Sequence, residues 1–155
     1  MECEIKDVII RELAIFDDER GWLSELFRHD ELESEFWPVM SYISMTRPGV
    51  ARGPHEHVDQ SDLFCFLGPS QFRLYLWDRR ADSSTRGKSF QGVFGEGCPA
   101  LVIIPPGVVH AYKNIGEGDG MVFNAPNRLY RGEGKKEEVD EIRHEDDVNS
   151  LYKLD

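Results

Sequence analysis

Residues 49–62 read GVARGPHEHVDQSD, and residues 104–114 read IPPGVVHAYKN. Alternate side chains of a β-strand share one face, so His55 and His57 point the same way if both lie on a strand. His110 follows a rigid Pro-Pro-Gly turn at the head of another strand. In a barrel both segments can face inward. We therefore predict that these three imidazoles converge with a carboxylate.

The rest of the chain consists of short apolar runs closed by glycine and proline turns. Many short strands with turns at close intervals indicate an all-β sandwich or barrel. The 155 residues suit a single domain, 1–155. Its charged tail, about 132–155, is expected to wrap the surface or to form a short helix. Another short helix is expected over 29–36, ahead of Pro38. Strands are predicted over 5–10, 22–28, 39–46, 63–67, 72–77, 101–104, 111–115 and 121–124.

The composition excludes several classes of partner. A formal net charge of −11 argues against nucleic acid, because binding phosphate backbones needs a basic face. The negative net charge is still compatible with an anionic small-molecule ligand, because a few arginines close to the ligand can hold it. Cys3, Cys65 and Cys98 form no CxxC pair, so neither a disulfide framework nor a thiolate metal site is expected. No apolar stretch reaches membrane-spanning length and no secretory signal is evident, so we expect no membrane partner and a cytoplasmic location.

The five histidines divide into two groups. His29 and His144 lie in charged stretches and are expected to be ordinary surface residues. The other three belong to a two-part pattern of H-x-H after a glycine turn and P-x-G-x2-H-x3-N downstream. Because that pattern rarely arises by chance, we interpret these three as a functional site.

The two quoted segments resemble the cupin motifs G-x5-H-x-H-x3,4-E and G-x5-P-x-G-x2-H-x3-N. Over about residues 10–130 the chain more closely resembles the dTDP-4-dehydrorhamnose 3,5-epimerase family of RmlC-like cupins. Residues 18–27, DERGWLSELF, look like that family's D-x-R-G-hydrophobic-x-x-E-x-F strand. Residues 49–55 are similar to its G-V-L-R-G-L-H, and residues 104–112 resemble its I-P-x-G-hydrophobic-A-H-G-F. The resemblance implies a jelly-roll β-barrel with one or two short helices.

The resemblance also implies a function. It predicts an isomerase that epimerises a nucleotide-linked 4-keto-6-deoxyhexose for surface polysaccharide synthesis, without a cofactor. His55 would remove a proton next to the ketone, a task that suits an imidazole titrating near neutral pH. Tyr130 would return a proton on the opposite face of the sugar. The residues implied to bind the nucleotide-diphosphate sugar are Arg20, Glu25, Arg52, Gln60 and His110.

The family further implies a homodimer whose N-terminal strands cross to the neighbouring subunit. Arg20 and Glu25 would then act in the neighbour's site. Arg20 and Arg52 would hold the sugar or the diphosphate through charge-assisted hydrogen bonds. An alternative for Arg20 is a turn residue paired with Asp18 or Glu25.

Two departures from the family pattern concern charge in the site. Asp62 stands where the family's Q-G-K-L segment carries a lysine, which removes a cation that would stabilise an enolate. The region that supplies the aspartate partner of the catalytic histidine is shortened or altered, which leaves Asp140 and Asp146 as candidates.

These departures favour a second hypothesis, a metal site. His55, His57, Asp62 and His110 match the His-His-carboxylate-His set of metal cupins. Three nitrogens and one oxygen suit Fe(II), Mn, Ni or Zn. A metal-binding cupin with isomerase or oxygenase chemistry is therefore one alternative, and a non-catalytic sugar-binding cupin is another.

Overall fold

The computed structural model describes residues 3–155, whose regular structure is mainly β-strand. Short alternating runs between glycine and proline turns account for this content. The strands are β1 (Ile9–Glu12), β2 (Phe16–Asp18), β3 (Gly21–Leu23), β4 (Tyr42–Thr46), β5 (Ala51–Glu56), β6 (Asp62–Phe66), β7 (Gln71–Asp78), β8 (Ser89–Gly95), β9 (Ala100–Ile104), β10 (Val108–Asn114), β11 (Gly120–Asn124) and β12 (Ile142–Arg143).

Two five-stranded antiparallel sheets form the body of the fold. One has the order β1-β9-β6-β11-β4, and the other has the order β12-β5-β10-β7-β8. The β2–β3 hairpin forms a separate two-stranded sheet. This architecture confirms the predicted cupin jelly roll. None of the helical turns in residues 3–155 is long and apolar enough to cross a membrane.

The main core lies between the two sheets. Phe64 and Phe66 of β6 join Phe72 and Leu74 of β7 in one buried cluster. The rings of Phe66 and Phe72 lie 5.8 Å apart, centroid to centroid. Because alternate residues of a strand face opposite sides, this packing turns Leu63 and the other odd-numbered residues of β6 outward.

A second apolar cluster covers the outer face of the first sheet. Leu63 and Ile103 pack there against Leu13, Leu32 and Phe36 of the N-terminal segment. The prediction of a helix over 29–36 is wrong. The segment instead forms two 3₁₀ turns, His29–Glu31 and Ser34–Phe36. Leu32 between them is extended, with φ −105° and ψ 137°. Because Leu32 is extended, the side chains of Leu32 and Phe36 both reach the sheet. The free energy of burying them outweighs the weak helical propensity of the segment.

Several strand boundaries also differ from the prediction. The first strand begins at Ile9 rather than residue 5, because Ile5–Asp7 forms a turn in which Asp7 has φ 65°. Of the predicted 22–28 strand, only Trp22 and Leu23 lie in a ladder, as part of β3. Sequence reasoning missed β8 (SFQGVFG), whose polar residues and glycines hide its pairing with β7. The charged tail adds β12 to the edge of β5.

Candidate active site

A cavity of about 1290 Å³ lies against β4 and β5 and is walled on its other side by the C-terminal segment 126–145. Such a volume accommodates a ligand larger than most drug-sized molecules. Its wall includes His55 and His57 from the first motif. The cavity therefore brings a histidine motif and the charged tail to one place.

The three histidines of the predicted site and one carboxylate converge beside this cavity. One side-chain nitrogen or oxygen from each of His55, His57, Asp62 and His110 lies within 4.8 Å of the others. The sheet register explains the approach, because His110 of β10 pairs directly with His55 of β5. Asp62 opens β6 in the opposite sheet, and His57 follows the end of β5. The convergence predicted from the two motifs is present.

Backbone carbonyls orient two of the imidazoles. His110 Nδ1 lies 3.0 Å from the carbonyl oxygen of Val108, and His57 Nδ1 makes a short contact with the carbonyl oxygen of Asp140. In each ring this leaves Nε2 facing Asp62, with both Nε2 atoms 3.1 Å from Asp62 Oδ2. The Asp62 carboxylate is therefore the centre of the cluster.

The other oxygen of Asp62 is held by two amides. Gln60 Nε2 and Asn124 Nδ2 each donate to Asp62 Oδ1 at 2.9 Å. Asn124 also donates to the hydroxyl of Tyr42 at 2.8 Å, which links the cluster to the cavity wall. Both amides fix the carboxylate so that Oδ2 points at the histidines.

The electrostatics of the cluster favour a positive charge beside Asp62. Burial opposes ionisation of Asp62. Hydrogen bonds and charge attraction from His110 and His57 outweigh burial and hold the pKa of Asp62 well below its usual range. Burial likewise works against a charged His57, yet the Asp62 carboxylate raises the pKa of His57 to about 9. Burial, together with repulsion from His110 and His57, lowers the pKa of His55 to about 2. His55 is therefore neutral at physiological pH.

The tail supplies the acidic surroundings of the histidines. Asp140 accepts three backbone N–H bonds from Val58, Asp59 and Gln60, at 2.7, 2.9 and 2.9 Å. Glu141 Oε1 and Glu145 Oε1 lie 3.6 and 3.9 Å from His55 Nδ1. These two glutamates were missed from the sequence, because only the pairing of β12 with β5 brings them to His55.

Comparison with known proteins identifies the family of this chain. The family model described as dTDP-4-dehydrorhamnose 3,5-epimerase matches residues 2–148 of the chain. The chain belongs to this epimerase family. It is 40% identical over 136 residues to a protein of Haloferax volcanii described as a "probable low-salt glycan biosynthesis epimerase", covering 86% of each chain. The resemblance predicted from the motifs is therefore confirmed, and the chain is an isomerase-type enzyme by family.

Solved structures share the fold of this epimerase. A dTDP sugar isomerase from Desulfovibrio desulfuricans superposes with a TM-score of 0.82 at 22% identity, covering 96% of this chain and 91% of the other. A dTDP-6-deoxy-D-glucose-3,5-epimerase from Legionella pneumophila, solved with dTDP-4-keto-L-rhamnose, has a TM-score of 0.77 at 21% identity. It covers 92% of this chain and 75% of that one. Both establish the jelly-roll architecture.

Four residues predicted for the epimerase site line the cavity. They are His55, Arg52, Gln60 and Tyr130. Arg52 donates through Nε to Thr46 Oγ1 at 3.0 Å and through Nη2 to the carbonyl of Met45 at 2.7 Å. Tyr130 lies on the cavity wall, with 53% of its surface exposed. His110 lies deeper and is fully buried within the cluster.

Arg20 and Glu25 are not brought to the cavity of their own chain. Arg20 belongs to the β2–β3 hairpin and forms an ion pair with Asp18, with Nη2 2.5 Å from Oδ2. Glu25 lies 3.7 Å from Arg28 Nη1 on the surface. The turn pairing considered for Arg20 is thus what the single chain shows. The aspartates considered as partners of His55 also lie elsewhere: Asp140 holds the loop after His57, and Asp146 is exposed.

Proposed function

We propose that this epimerase inverts a carbon next to the ketone of a nucleotide-linked 4-keto-6-deoxyhexose, with His55 as the base. The observation that carries the proposal is a neutral imidazole on the cavity wall with two carboxylates behind it. His55 is mostly buried but reaches the cavity, and burial keeps it unprotonated. A general base must carry a lone pair at working pH, which His55 does.

Glu141 and Glu145 support this role. When His55 accepts a proton from the sugar, it becomes an imidazolium. Their carboxylates, 3.6 and 3.9 Å from Nδ1, stabilise that charge as the carboxylate of a catalytic triad stabilises its histidine.

The remaining steps use groups on the same wall. The carbon loses its proton to His55, and the electron pair becomes an enolate on the ketone oxygen. Tyr130 then donates its phenolic proton to the other face of the carbon and regains one from solvent, while His55 releases the proton it took to solvent. Arg52 provides a positive charge near the diphosphate. The positive charge beside Asp62 stands in for the family's lysine in stabilising the enolate.

The reaction as proposed needs no cofactor, because base, acid and binding groups are all protein side chains. Its ligand is a nucleotide-diphosphate sugar, as in the Legionella structure. A cytoplasmic location belongs to the proposal, because Cys3, Cys65 and Cys98 are free thiols and a reducing compartment suits them. The chain acts as one domain, 1–155.

We further propose a homodimer that places Arg20 and Glu25 at the partner's cavity. Trp22 and Leu23 on the β2–β3 hairpin are 56% and 62% exposed. Among the described strands, β4 pairs only with β11 and presents exposed Ile43. An exposed apolar hairpin and an open apolar strand edge in one molecule complement each other between two copies.

The reaction is tested by incubating the protein with dTDP-4-keto-6-deoxyglucose in deuterated water. We expect deuterium at the carbon next to the ketone, measured by mass spectrometry and NMR. His55→Asn should lower the exchange rate by about 10²–10⁴-fold, the usual contribution of a general base. His29→Asn, which alters a surface histidine packed against Trp37 outside the cavity, serves as the control.

Two results would contradict the proposal. Absence of exchange in folded wild-type protein with this and related nucleotide sugars would refute the reaction. Full exchange by His55→Asn would refute the assignment of the base while leaving the reaction intact.

A further inference from the structure

Tyr42 brings a phenol hydroxyl to the mouth of the barrel. It opens β4, and Ser44 shares its face because alternate residues of a strand point the same way. Ser44 Oγ lies 2.7 Å from the hydroxyl of Tyr112 in the opposite sheet, so this face of β4 is turned into the barrel. Tyr42, Ser44 and Tyr112 all line the cavity. Tyr42 therefore borders the space in which the sugar is proposed to bind.

Asn124 fixes the direction of the hydrogen bond that it makes with Tyr42. Its side-chain oxygen accepts the backbone N–H of Leu63 at 3.1 Å, and its amide nitrogen donates to Asp62 Oδ1 at 2.9 Å. Because an N–H only donates and an ionised carboxylate only accepts, the amide has one possible orientation. The second N–H on the same nitrogen therefore donates to the Tyr42 hydroxyl, 2.8 Å away.

The hydroxyl proton of Tyr42 is left for a different acceptor. A phenol hydroxyl both accepts and donates, and Asn124 occupies its accepting side. Within residues 3–155 the Tyr42 hydroxyl makes this one hydrogen bond. The acceptor for its proton therefore comes from the cavity that Tyr42 lines.

We propose that Tyr42 donates this hydrogen bond to the ketone oxygen of the sugar and stabilises the enolate. The inference rests on the proposed epimerase function, because that reaction places negative charge on the ketone oxygen. A donor aimed at an oxygen where charge develops lowers the barrier to its formation. Tyr42 keeps its proton throughout, and the electron pair returns from the oxygen to the carbon when Tyr130 protonates it.

The surroundings of Tyr42 suit a donor rather than an acid. Burial, followed by the negative charge of Asp62, raises the pKa of Tyr42 to about 12, although the bond from Asn124 works against it. The phenol is therefore protonated wherever His55 is neutral and the enzyme works. The charge of Glu141 adds to the same shift, and Glu141 lies 3.6 Å from His55 Nδ1. Tyr42 and His55 thus border the same end of the cavity, because the effect of a charge falls with distance.

Tyr42 also fits the change of charge at position 62. A carboxylate stands there in place of the family's lysine, and it cannot donate to an enolate. Asp62 instead helps to hold Asn124, whose other N–H is bound to Tyr42. Accepting that bond polarises the phenol O–H and strengthens it as a donor. Tyr42 thereby adds a neutral donor to the positive charge beside Asp62.

Tyr42→Phe tests the role, because it removes the hydroxyl and keeps the ring. With dTDP-4-keto-6-deoxyglucose in deuterated water, kcat for exchange should fall by about 10²–10³-fold, the usual effect of losing one oxyanion donor. KM should change by less than about threefold, since the bond is strongest in the transition state.

Tyr75→Phe is the matched control. It also removes a bonded phenol hydroxyl, which contacts Asp155 outside the cavity. Its kcat should equal that of the wild type. Thermal unfolding of both variants separates loss of a donor from misfolding, because Tyr42→Phe should lose no more stability than Tyr75→Phe. If Tyr42→Phe does not fold, Tyr42→Leu replaces it and should show at least the same loss of kcat.

The outcomes separate this role from the proposed function. Exchange by Tyr42→Phe at the wild-type kcat would overturn the role of Tyr42 and leave the reaction intact. A rise in KM with kcat unchanged would likewise overturn it, because Tyr42 would then only bind the sugar. Absence of exchange in folded wild-type protein would refute the epimerase function, and the role of Tyr42 would fall with it.

Discussion

At the scale of single residues, Asp140 organises the site more than its sequence position suggests. Its carboxylate accepts the backbone N–H groups of residues 58–60, and its carbonyl faces His57. One residue of the tail therefore fixes both the loop after β5 and the orientation of an imidazole. Its role is positioning, because its carboxylate is taken up by backbone N–H groups and its carbonyl by His57.

Asp140→Ala tests that role. Removing the acceptor leaves three backbone donors without their partner, so the free energy of unfolding should fall by about 1–3 kcal/mol. Chemical denaturation measures the loss. The exchange activity should fall as well, because the loosened segment no longer holds the backbone carbonyl of residue 140 against His57.

Asp146→Ala is the matched control, since Asp146 is an exposed aspartate in the same segment. It should change stability by less than about 0.5 kcal/mol. Equal stability of the two variants would show that the Asp140 contacts do not hold the loop.

At the scale of elements, the β2–β3 hairpin and β4 are two incompletely covered parts of the fold. The outer face of the first sheet is covered near Leu63 by the N-terminal segment, but Ile43 and Met45 on β4 stay exposed. Met121, opposite Met45 on β11, extends this apolar surface. An apolar face of this kind on a monomer marks an interaction site.

Trp22→Glu should therefore shift the protein from dimer to monomer. Burying a new charge at an apolar interface without a partner is costly, so the dimer should dissociate at micromolar concentration. Light scattering coupled to size exclusion measures the mass.

Val148→Glu is the control for the added charge, because Val148 is 89% exposed in the tail. It should leave the dimer intact. A wild-type protein that is monomeric at all concentrations would contradict the dimer proposal and leave Arg20 without a site.

At the scale of the whole molecule, Asp78 ties distant segments together. It ends β7 and accepts hydrogen bonds from Arg80 Nε at 2.9 Å and from Ser83 Oγ and Thr85 Oγ1 at 2.6 Å. Arg80 in turn reaches Asp7 at 3.0 Å, near the start of the described chain. Although burial opposes it, these donors hold the pKa of Asp78 well below its usual range.

Stability should therefore fall in acid through Asp78. Its native-state pKa is lower than its unfolded value, so the stabilisation is complete above about pH 4 and is lost as the pH falls below it. Asp78→Asn should lower the unfolding free energy near neutral pH by about 1.5–3 kcal/mol and flatten the acid limb of the stability profile.

Urea denaturation between about pH 2 and 7 measures both effects, because the stabilisation is lost between the unfolded-state pKa and the lower native-state pKa. Asp119→Asn, at an exposed loop position, is the control and should leave the profile unchanged. A stability profile for Asp78→Asn parallel to that of the wild type would show that this carboxyl does not couple pH to folding.

Much of this protein follows from local sequence. The glycine and proline turns with short alternating runs determine a β-barrel, because side-chain alternation and turn chemistry act over a few residues. The two histidine motifs predict that His55, His57 and His110 share an interior, since each motif joins a glycine turn to a strand. The family resemblance follows from the same residues.

Tertiary structure decided the rest. Burial of Leu32 and Phe36 replaced the expected helix by two turns, because packing on a sheet outweighs weak helical propensity. Asp62 became the centre of the cluster only through the meeting of two sheets. Glu141 and Glu145 reached His55 because β12 pairs with β5 across more than 80 residues, a long-range contact that no local pattern encodes.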